Sequence, residues 1–162
     1  MTKKVLLDTS FLITLSDESR ENHKLAKEFY KYFLDEKISM IISSIVVSEF
    51  SIKEPISDLP LQNFQFLPFN INDAIKSAEI YDIHYQDRAL QRDCLKDDFK
   101  ILAQCINSKA SYFITDDQEL IEKVIIPNNS KWSHNIISLK ISNGVFSYFG
   151  GKQLSIEEQE SD

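Results

Sequence analysis

The sequence contains few of the side chains on which zinc centres and histidine-dependent active sites rely. Among 162 residues there are two cysteines and three histidines, and the histidines lie far apart, at His23, His84 and His134. On one helix, Cys94 and Cys105 would lie about 16 Å apart, too far for a disulfide bond, so we interpret them as core thiols. Structural zinc and a histidine-containing catalytic triad are therefore both disfavoured.

The chain also lacks a long hydrophobic segment. The charge-free run from Ile38 to Ser48 is far shorter than the roughly 20 apolar residues that span a bilayer. Lys3 and Lys4 precede a short apolar run, as in a secretory signal, but Asp8 interrupts that run and no small-residue cleavage site follows. We therefore expect a cytoplasmic protein without a membrane segment.

Length and composition favour one globular domain. With 162 residues, of which 43% are hydrophobic and 27% are charged, the chain can bury a sizeable core. These proportions exclude a disordered, collagen-like or coiled-coil protein. We place the domain at residues 1–142 and interpret residues 143–162 as a C-terminal extension that ends in an acidic, mobile tail.

The net charge of −7 at first argues against a nucleic-acid partner, because phosphate binding needs a cationic surface. However, the last twelve residues contribute −3 and the four acids described below contribute −4, so the remaining chain is neutral. If cations neutralise those four acids, the charge balance permits a phosphodiester substrate. The tail is either a passive solubilising extension or a competitor that occupies a basic surface and weakens substrate binding.

Short apolar runs alternate with longer segments of helical periodicity. The predicted strands are Lys3–Leu7, Ser39–Ser43, Gln65–Phe69, Tyr112–Thr115 and Asn135–Leu139, with Val145–Phe149 as a further candidate. The predicted helices are Glu21–Glu36, Ile45–Lys53, Asn72–Tyr85, Leu90–Lys109 and Gln118–Val124. This alternation predicts an α/β fold with a mainly parallel sheet that is covered on both faces.

Acidic residues follow two of the predicted strands. Asp8 comes directly after the first strand, and Asp116 and Asp117 come directly after Tyr112–Thr115. Ligands of open α/β sheets bind just beyond the carboxyl ends of the strands, where these acids are expected to lie. Considered alone, either position is better explained by helix capping.

Two further carboxylates fall on the apolar faces of predicted helices. On a helical wheel Asp98 falls in the middle of an apolar stripe, and its neighbour Asp97 falls at the edge. On another predicted helix Glu49 falls between Ile52 and Val46. We therefore expect Asp98 and Glu49 to face the interior.

A buried carboxylate without a partner costs several kcal/mol, so each of these acids needs a cation, a proton or a metal ion. Pairing with an inward lysine or arginine is the alternative, but four acids from four segments exceed what one such partner satisfies. Ligation by carboxylate oxygens alone is typical of Mg²⁺ or Mn²⁺.

The segments that carry these acids resemble the motifs of the PIN-domain nucleases, in the branch that includes the VapC-like toxins. The resemblance covers residues 4 to about 140. It rests on four motifs in order: Val5-Leu6-Leu7-Asp8-Thr9-Ser10, Ser43-Ser44-Ile45-Val46-Val47-Ser48-Glu49, Asp98-Phe99-Lys100-Ile101-Leu102-Ala103 and Ile114-Thr115-Asp116-Asp117.

The resemblance implies a three-layer α/β/α fold with a central, mainly parallel sheet of strand order 3-2-1-4-5. It further implies a metal-dependent endoribonuclease of the two-metal type, which activates water with Mg²⁺ or Mn²⁺, and a role as the toxin of a toxin-antitoxin pair. The implied catalytic and metal-binding acids are Asp8, Glu49, Asp98 and Asp117, with Thr9, Thr115 and Asp116 in support.

Basic residues recur along two predicted helices. Arg88, Arg92, Lys96 and Lys100 are the candidate RNA contacts, although a solvated helix face explains the same pattern. The expected partners are an RNA substrate, an antitoxin and a second copy of the chain. The alternative function is a catalytically inert PIN-like module that binds nucleic acid or protein. A haloacid-dehalogenase-type phosphatase fits less well, because it needs an aspartate where Ser10 stands.

Overall fold

The computed structural model describes residues 2–84 and 92–150 of the chain, with the backbone alone for residues 92–95. Its core is a five-stranded parallel sheet with the order β3-β2-β1-β4-β5. The strands are β1 (Lys4–Leu7), β2 (Ser39–Ser43), β3 (Phe64–Leu67), β4 (Tyr112–Thr115) and β5 (Ile137–Lys140). The expected fold class and strand order are therefore confirmed.

Helices connect the strands and cover the sheet. The α-helices of the described residues are α1 (Thr9–Ser16), α2 (His23–Asp35), α3 (Ser44–Lys53), α4 (Ile71–His84), α5 (Arg92–Asn107), α6 (Ile126–Asn128) and α7 (Phe146–Phe149). A π-helical segment, Leu120–Ile125, leads into α6, and short 3-10 turns occupy Ile56–Asp58, Leu61–Asn63, Asn129–Lys131 and Ile141–Asn143. None of the helices described is long and apolar enough to cross a membrane.

The two central strands are buried on both faces. Every residue of β4 is buried, as are the last three of β1. This pattern is typical of a parallel sheet between two helical layers. Because all strands run in the same direction, their carboxyl ends meet at one edge of the sheet, where α1 and α3 begin directly after β1 and β2.

Helix α1 is absent from the sequence prediction, because its four apolar residues, Phe11, Leu12, Ile13 and Leu15, form no amphipathic stripe. In the structure five of its eight residues are buried. The segment predicted as a possible strand, Val145–Phe149, instead forms α7, since a short apolar run fits either structure.

Helix α7 lies in the predicted C-terminal extension and packs on the body of the protein. The ring of Phe149 stacks on Tyr32 with a centroid distance of 4.3 Å and meets the edge of Tyr112 at 5.3 Å. The Tyr148 hydroxyl accepts a hydrogen bond from the Lys140 backbone N–H at 2.9 Å. The last described residues are therefore held against α2 and the sheet, whereas the acidic tail from residue 151 onward lies outside the described residues.

Candidate metal centre

Asp8 lies at the junction of β1 and α1 and is 7% exposed. Its Oδ1 atom accepts a hydrogen bond from the Thr9 backbone N–H at 2.8 Å. Asp8 therefore caps the N-terminus of α1, as the capping explanation of its position predicts. Its Oδ2 atom accepts a bond from the Thr115 hydroxyl at 2.6 Å and a longer one from Ser10 at 3.5 Å. Burial nevertheless raises the pKa of Asp8, because these bonds only partly offset the loss of hydration.

Thr115 connects the β1 and β4 ends of the site. Its hydroxyl donates to Asp8 and accepts from the Asp117 backbone N–H at 3.1 Å. Asp117 in turn caps the following segment through a bond from the Leu120 backbone N–H to Oδ1 at 3.0 Å. The Asp116 backbone N–H donates to the Ser10 hydroxyl at 3.3 Å. Sequence reasoning assigned Ser10 no role, and its position two residues after Asp8 is the only signal for one.

Glu49 lies in α3, on the edge of the buried face rather than in its middle. Val46 and Phe50 form that face and are fully buried, whereas Ile52 is 83% exposed. The prediction that Ile52 shares the buried stripe is therefore wrong. A helical wheel gives the phase of a helix but does not show where the helix leaves the body of the protein, which α3 does near its C-terminal end.

Asp98 lies in α5, beside the buried residues Phe99 and Ile101, and is itself partly exposed. Its neighbour Asp97 is exposed and pairs with Lys100 at 3.2 Å. The two adjacent aspartates thus occupy different environments, as the helical wheel predicts.

Burial and like charges raise the pKa of two more acids. Burial contributes most to the raised pKa of Glu49, and the charges of Asp8 and Asp97 add to it. Burial also raises the pKa of Asp98 to about 8, with further contributions from the charges of Asp8, Asp117, Glu49 and Asp97. These carboxylates therefore share one electrostatic region.

None of the ion pairs found within residues 2–84 and 92–150 includes Asp8, Glu49, Asp98 or Asp117. The alternative of pairing with an inward basic residue is thus not seen in this part of the chain. Instead, Thr9 Oγ1, Glu49 Oε1 and Asp116 Oδ1 are buried oxygen atoms without a hydrogen-bond partner among the described residues. Unpaired buried oxygens are costly unless a cation or water satisfies them.

The donor set fits a hard divalent cation, because carboxylate and hydroxyl oxygens are the ligands that Mg²⁺ and Mn²⁺ prefer. Within the described part of the chain, no three histidine, cysteine or acidic side chains already enclose a position for an ion. Glu49 and Asp98 are both partly exposed residues, in contrast to the buried Asp8.

Removing the Thr115 hydroxyl tests the arrangement around Asp8. We expect Thr115→Val to weaken Mn²⁺ binding about tenfold, because groups that orient metal ligands typically contribute that much to affinity. The matched control is Thr14→Val, since Thr14 is also buried but its hydroxyl donates only to the Ser10 carbonyl within α1. Calorimetric Mn²⁺ titrations of both variants give the comparison. Equal losses of affinity would show that Thr115 has no special role.

Two of the four candidate RNA contacts lie on a different side of α5 from Asp98. Lys96 and Lys100 lie about 160° around α5 from Asp98, by the geometry of a regular helix. They instead line a cavity of about 450 Å³ between α4 and α5, together with Ala74 and Tyr81. Arg88 and the side chain of Arg92 lie outside the described residues. All four RNA contacts therefore stay predictions.

The sequence matches the PIN domain family over residues 5–125. The chain belongs to the PIN domain family. No curated protein gives a significant match by sequence.

Solved structures share the PIN fold at low sequence identity. VapBC2 from Rickettsia felis, bound to a promoter DNA fragment, is 14% identical with a TM-score of 0.61, over 84% of this chain and 98% of that one. DNA-bound VapBC from Salmonella typhimurium is 19% identical with a TM-score of 0.57, over 85% and 98% of the two chains. A toxin-antitoxin complex from Klebsiella pneumoniae is 18% identical with a TM-score of 0.57, over 82% and 95%. At these identities the structures establish the common fold alone.

Proposed function

We propose that this PIN domain is a metal-dependent endoribonuclease that hydrolyses RNA phosphodiester bonds. The observation that carries the proposal is the group of carboxylates at the carboxyl edge of the sheet. Three of them, Asp8, Glu49 and Asp98, have raised pKa values, and none forms an ion pair with any described residue. Burial and mutual repulsion make the ionised forms of these carboxylates unfavourable, and a bound cation would offset both effects. Membership of the PIN family supports the same conclusion.

The proposed metal ligands are Asp8, Glu49, Asp98 and Asp117, a set large enough for one divalent ion or two. Mg²⁺ or Mn²⁺ bound there would lower the pKa of a water molecule and neutralise charge on the scissile phosphate. Thr115 and the Thr9 backbone N–H hold the Asp8 carboxylate in a fixed orientation. Burial and the neighbouring acids raise the pKa of Asp98 to about 8, so a bound cation would have to displace its proton near neutral pH.

We further propose that the chain is the toxin of a toxin-antitoxin pair, with an antitoxin and a second copy of the chain as protein partners. The proposal is supported by structures of similar fold, which are complexes of the VapBC type or are described as toxin-antitoxin complexes. Co-expression with the protein encoded beside it, followed by size-exclusion chromatography and cleavage assays, tests whether a partner binds and silences the activity.

The cleavage assay uses a labelled single-stranded RNA and a DNA of the same sequence, with Mn²⁺, Mg²⁺ or EDTA. We expect cleavage of the RNA with either metal ion and none with EDTA. We expect Asp8→Asn to lower the rate roughly thousandfold, since preorganised charge contributes effects of that size. Asp17→Asn is the matched control, because Asp17 follows the other end of α1 and is solvent-accessible.

Three results would contradict the proposal in different ways. Intact RNA in the presence of bound Mn²⁺ would indicate the catalytically inert binding module. Equal cleavage of the DNA would contradict the assignment to RNA. An Asp8→Asn variant as active as Asp17→Asn would place the active site elsewhere.

A further inference from the structure

A glutamine side chain is buried among the apolar residues of α5. Gln104 has no exposed surface and lies within the continuously buried segment 101–106. Its Oε1 atom accepts a hydrogen bond from the Ser43 hydroxyl. Its Nε2 atom donates to the Leu67 carbonyl at 3.3 Å. The amide is thus satisfied by two partners from outside its own helix.

The two partners lie side by side at the carboxyl edge of the sheet. Ser43 ends β2, Leu67 ends β3, and the two residues are direct neighbours in the strand register. Ser43 also caps α3, since its hydroxyl oxygen accepts a bond from the Ile45 backbone N–H at 3.0 Å. One amide therefore connects α5 to two strand ends and to the first turn of α3.

The hydrogen bond between Ser43 and Gln104 lies six residues from a candidate metal ligand on each of its two helices. Glu49 is six residues after Ser43, and Asp98 is six residues before Gln104, so each acid is about 9 Å of helix rise from the contact. Sliding α5 by a single residue would move Asp98 by about 1.5 Å and turn it by about 100°. The bond between Ser43 and Gln104 opposes such a shift, because it fixes which residue of α5 faces the start of α3.

Stability alone does not require an amide at this position. A methionine of similar size would fill the same space without the cost of burying polar atoms, and replacing buried polar groups by apolar ones is often neutral or stabilising. What the amide adds is direction, because its hydrogen bonds form only when α5, β2 and β3 are in one alignment.

We propose that Gln104 is a positioning residue for the metal centre, which sets the placement of α5 against α3 and thereby of Asp98 against Glu49. This inference rests on the proposed function, because it assumes that the two acids bind the same ion or ion pair. The hydrogen bonds of Gln104 go to Ser43 and Leu67 rather than to either acid, so it acts through the helices that carry them.

The test measures Mn²⁺ affinity by calorimetry and unfolding by urea for the full-length protein and its variants. We expect Gln104→Met and Ser43→Ala each to weaken Mn²⁺ binding about tenfold. Ser43→Thr keeps the hydroxyl and is expected to restore most of the affinity. The matched control is Asn107→Ala, because the Asn107 side chain ties the same helix to α4 through a hydrogen bond to Asp73 at 2.9 Å, not to α3. It should lower the urea midpoint and leave Mn²⁺ affinity within about twofold.

A double-mutant cycle separates positioning from a general structural effect. If Gln104 acts by placing Asp98 against Glu49, then Gln104→Met should cost little further affinity in a Glu49→Gln background. Additive losses would overturn the inference, as would a Gln104→Met protein with wild-type Mn²⁺ affinity. A wild-type protein that does not bind Mn²⁺ would instead contradict the proposed function, and this inference with it.

Discussion

Replacing Asp98 by asparagine is expected to abolish RNA cleavage and, at the same time, to raise the melting temperature of the metal-free protein. Burial and the charges of the neighbouring acids raise the pKa of Asp98 to about 8. A neutral amide of the same shape avoids the cost of keeping this carboxyl protonated in the folded protein but is a poor ligand for a divalent cation. We expect the cleavage rate to fall roughly thousandfold, and a thermal melt in EDTA to show the gain in stability.

The adjacent residue provides the control. Asp97 is exposed and pairs with Lys100 at 3.2 Å, outside the group of buried acids. Asp97→Asn is expected to retain most of the cleavage activity and to leave the melting temperature nearly unchanged, because exposed ion pairs contribute little to stability. Equal loss of activity in the two variants would mean that the assignment of Asp98 to the metal centre is wrong.

The sheet is the part of the fold that sequence patterns predict best. Each of the five strands lies within two residues of its predicted bounds, because short aliphatic runs between longer helical segments leave few alternatives. The strand order, by contrast, came from the resemblance to PIN domains. Periodicity shows that strands exist but carries no information about which strand neighbours which.

Two acids of the candidate site stand out in the sequence because they violate a local pattern. Asp8 interrupts an apolar run at a strand end, and Asp98 breaks an apolar helix face. The lysines of α5 follow the ordinary pattern of an exposed face, and the structure places Lys96 and Lys100 away from the acids. Their spacing indicates only which side of the helix they share, so it could not predict what that side contacts.

Gln104 shows a different limit of sequence analysis. It interrupts the apolar segment Ile101–Ile106, which is a signal of the same kind as Asp98, yet an uncharged amide at a stripe edge is easily taken for a surface residue. Its partners, Ser43 and Leu67, are 61 and 37 residues away in the chain. No local pattern links residues at such separations, so the connection becomes visible only in three dimensions.

The stability of the metal-free protein is expected to decrease as the pH rises from about 4 to 8. Asp98 loses its proton near its ordinary pKa of 3.8 in the unfolded chain but only near 8 in the folded protein. Over this interval the folded state binds more protons than the unfolded state, so raising the pH favours unfolding. The raised pKa values of Asp8 and Glu49 act in the same direction. We expect the melting temperature in EDTA to be higher at pH 5.5 than at pH 8 by roughly 5 °C or more.

Divalent cations should reverse this dependence, because they bind the ionised carboxylates of the folded state and displace the remaining protons. At a Mn²⁺ concentration of about 100 times the dissociation constant, binding adds about 2.7 kcal/mol of stability, or roughly 5–10 °C for a domain of this size. The gain should be large at pH 8 and small at pH 5.5, where protons compete with the ion. Asp98→Asn should flatten the pH dependence in EDTA, whereas Asp17→Asn should leave it intact. A melting temperature that rises with pH in EDTA, or that Mn²⁺ fails to change at pH 8, would contradict both the electrostatic account of the site and its assignment as a metal centre.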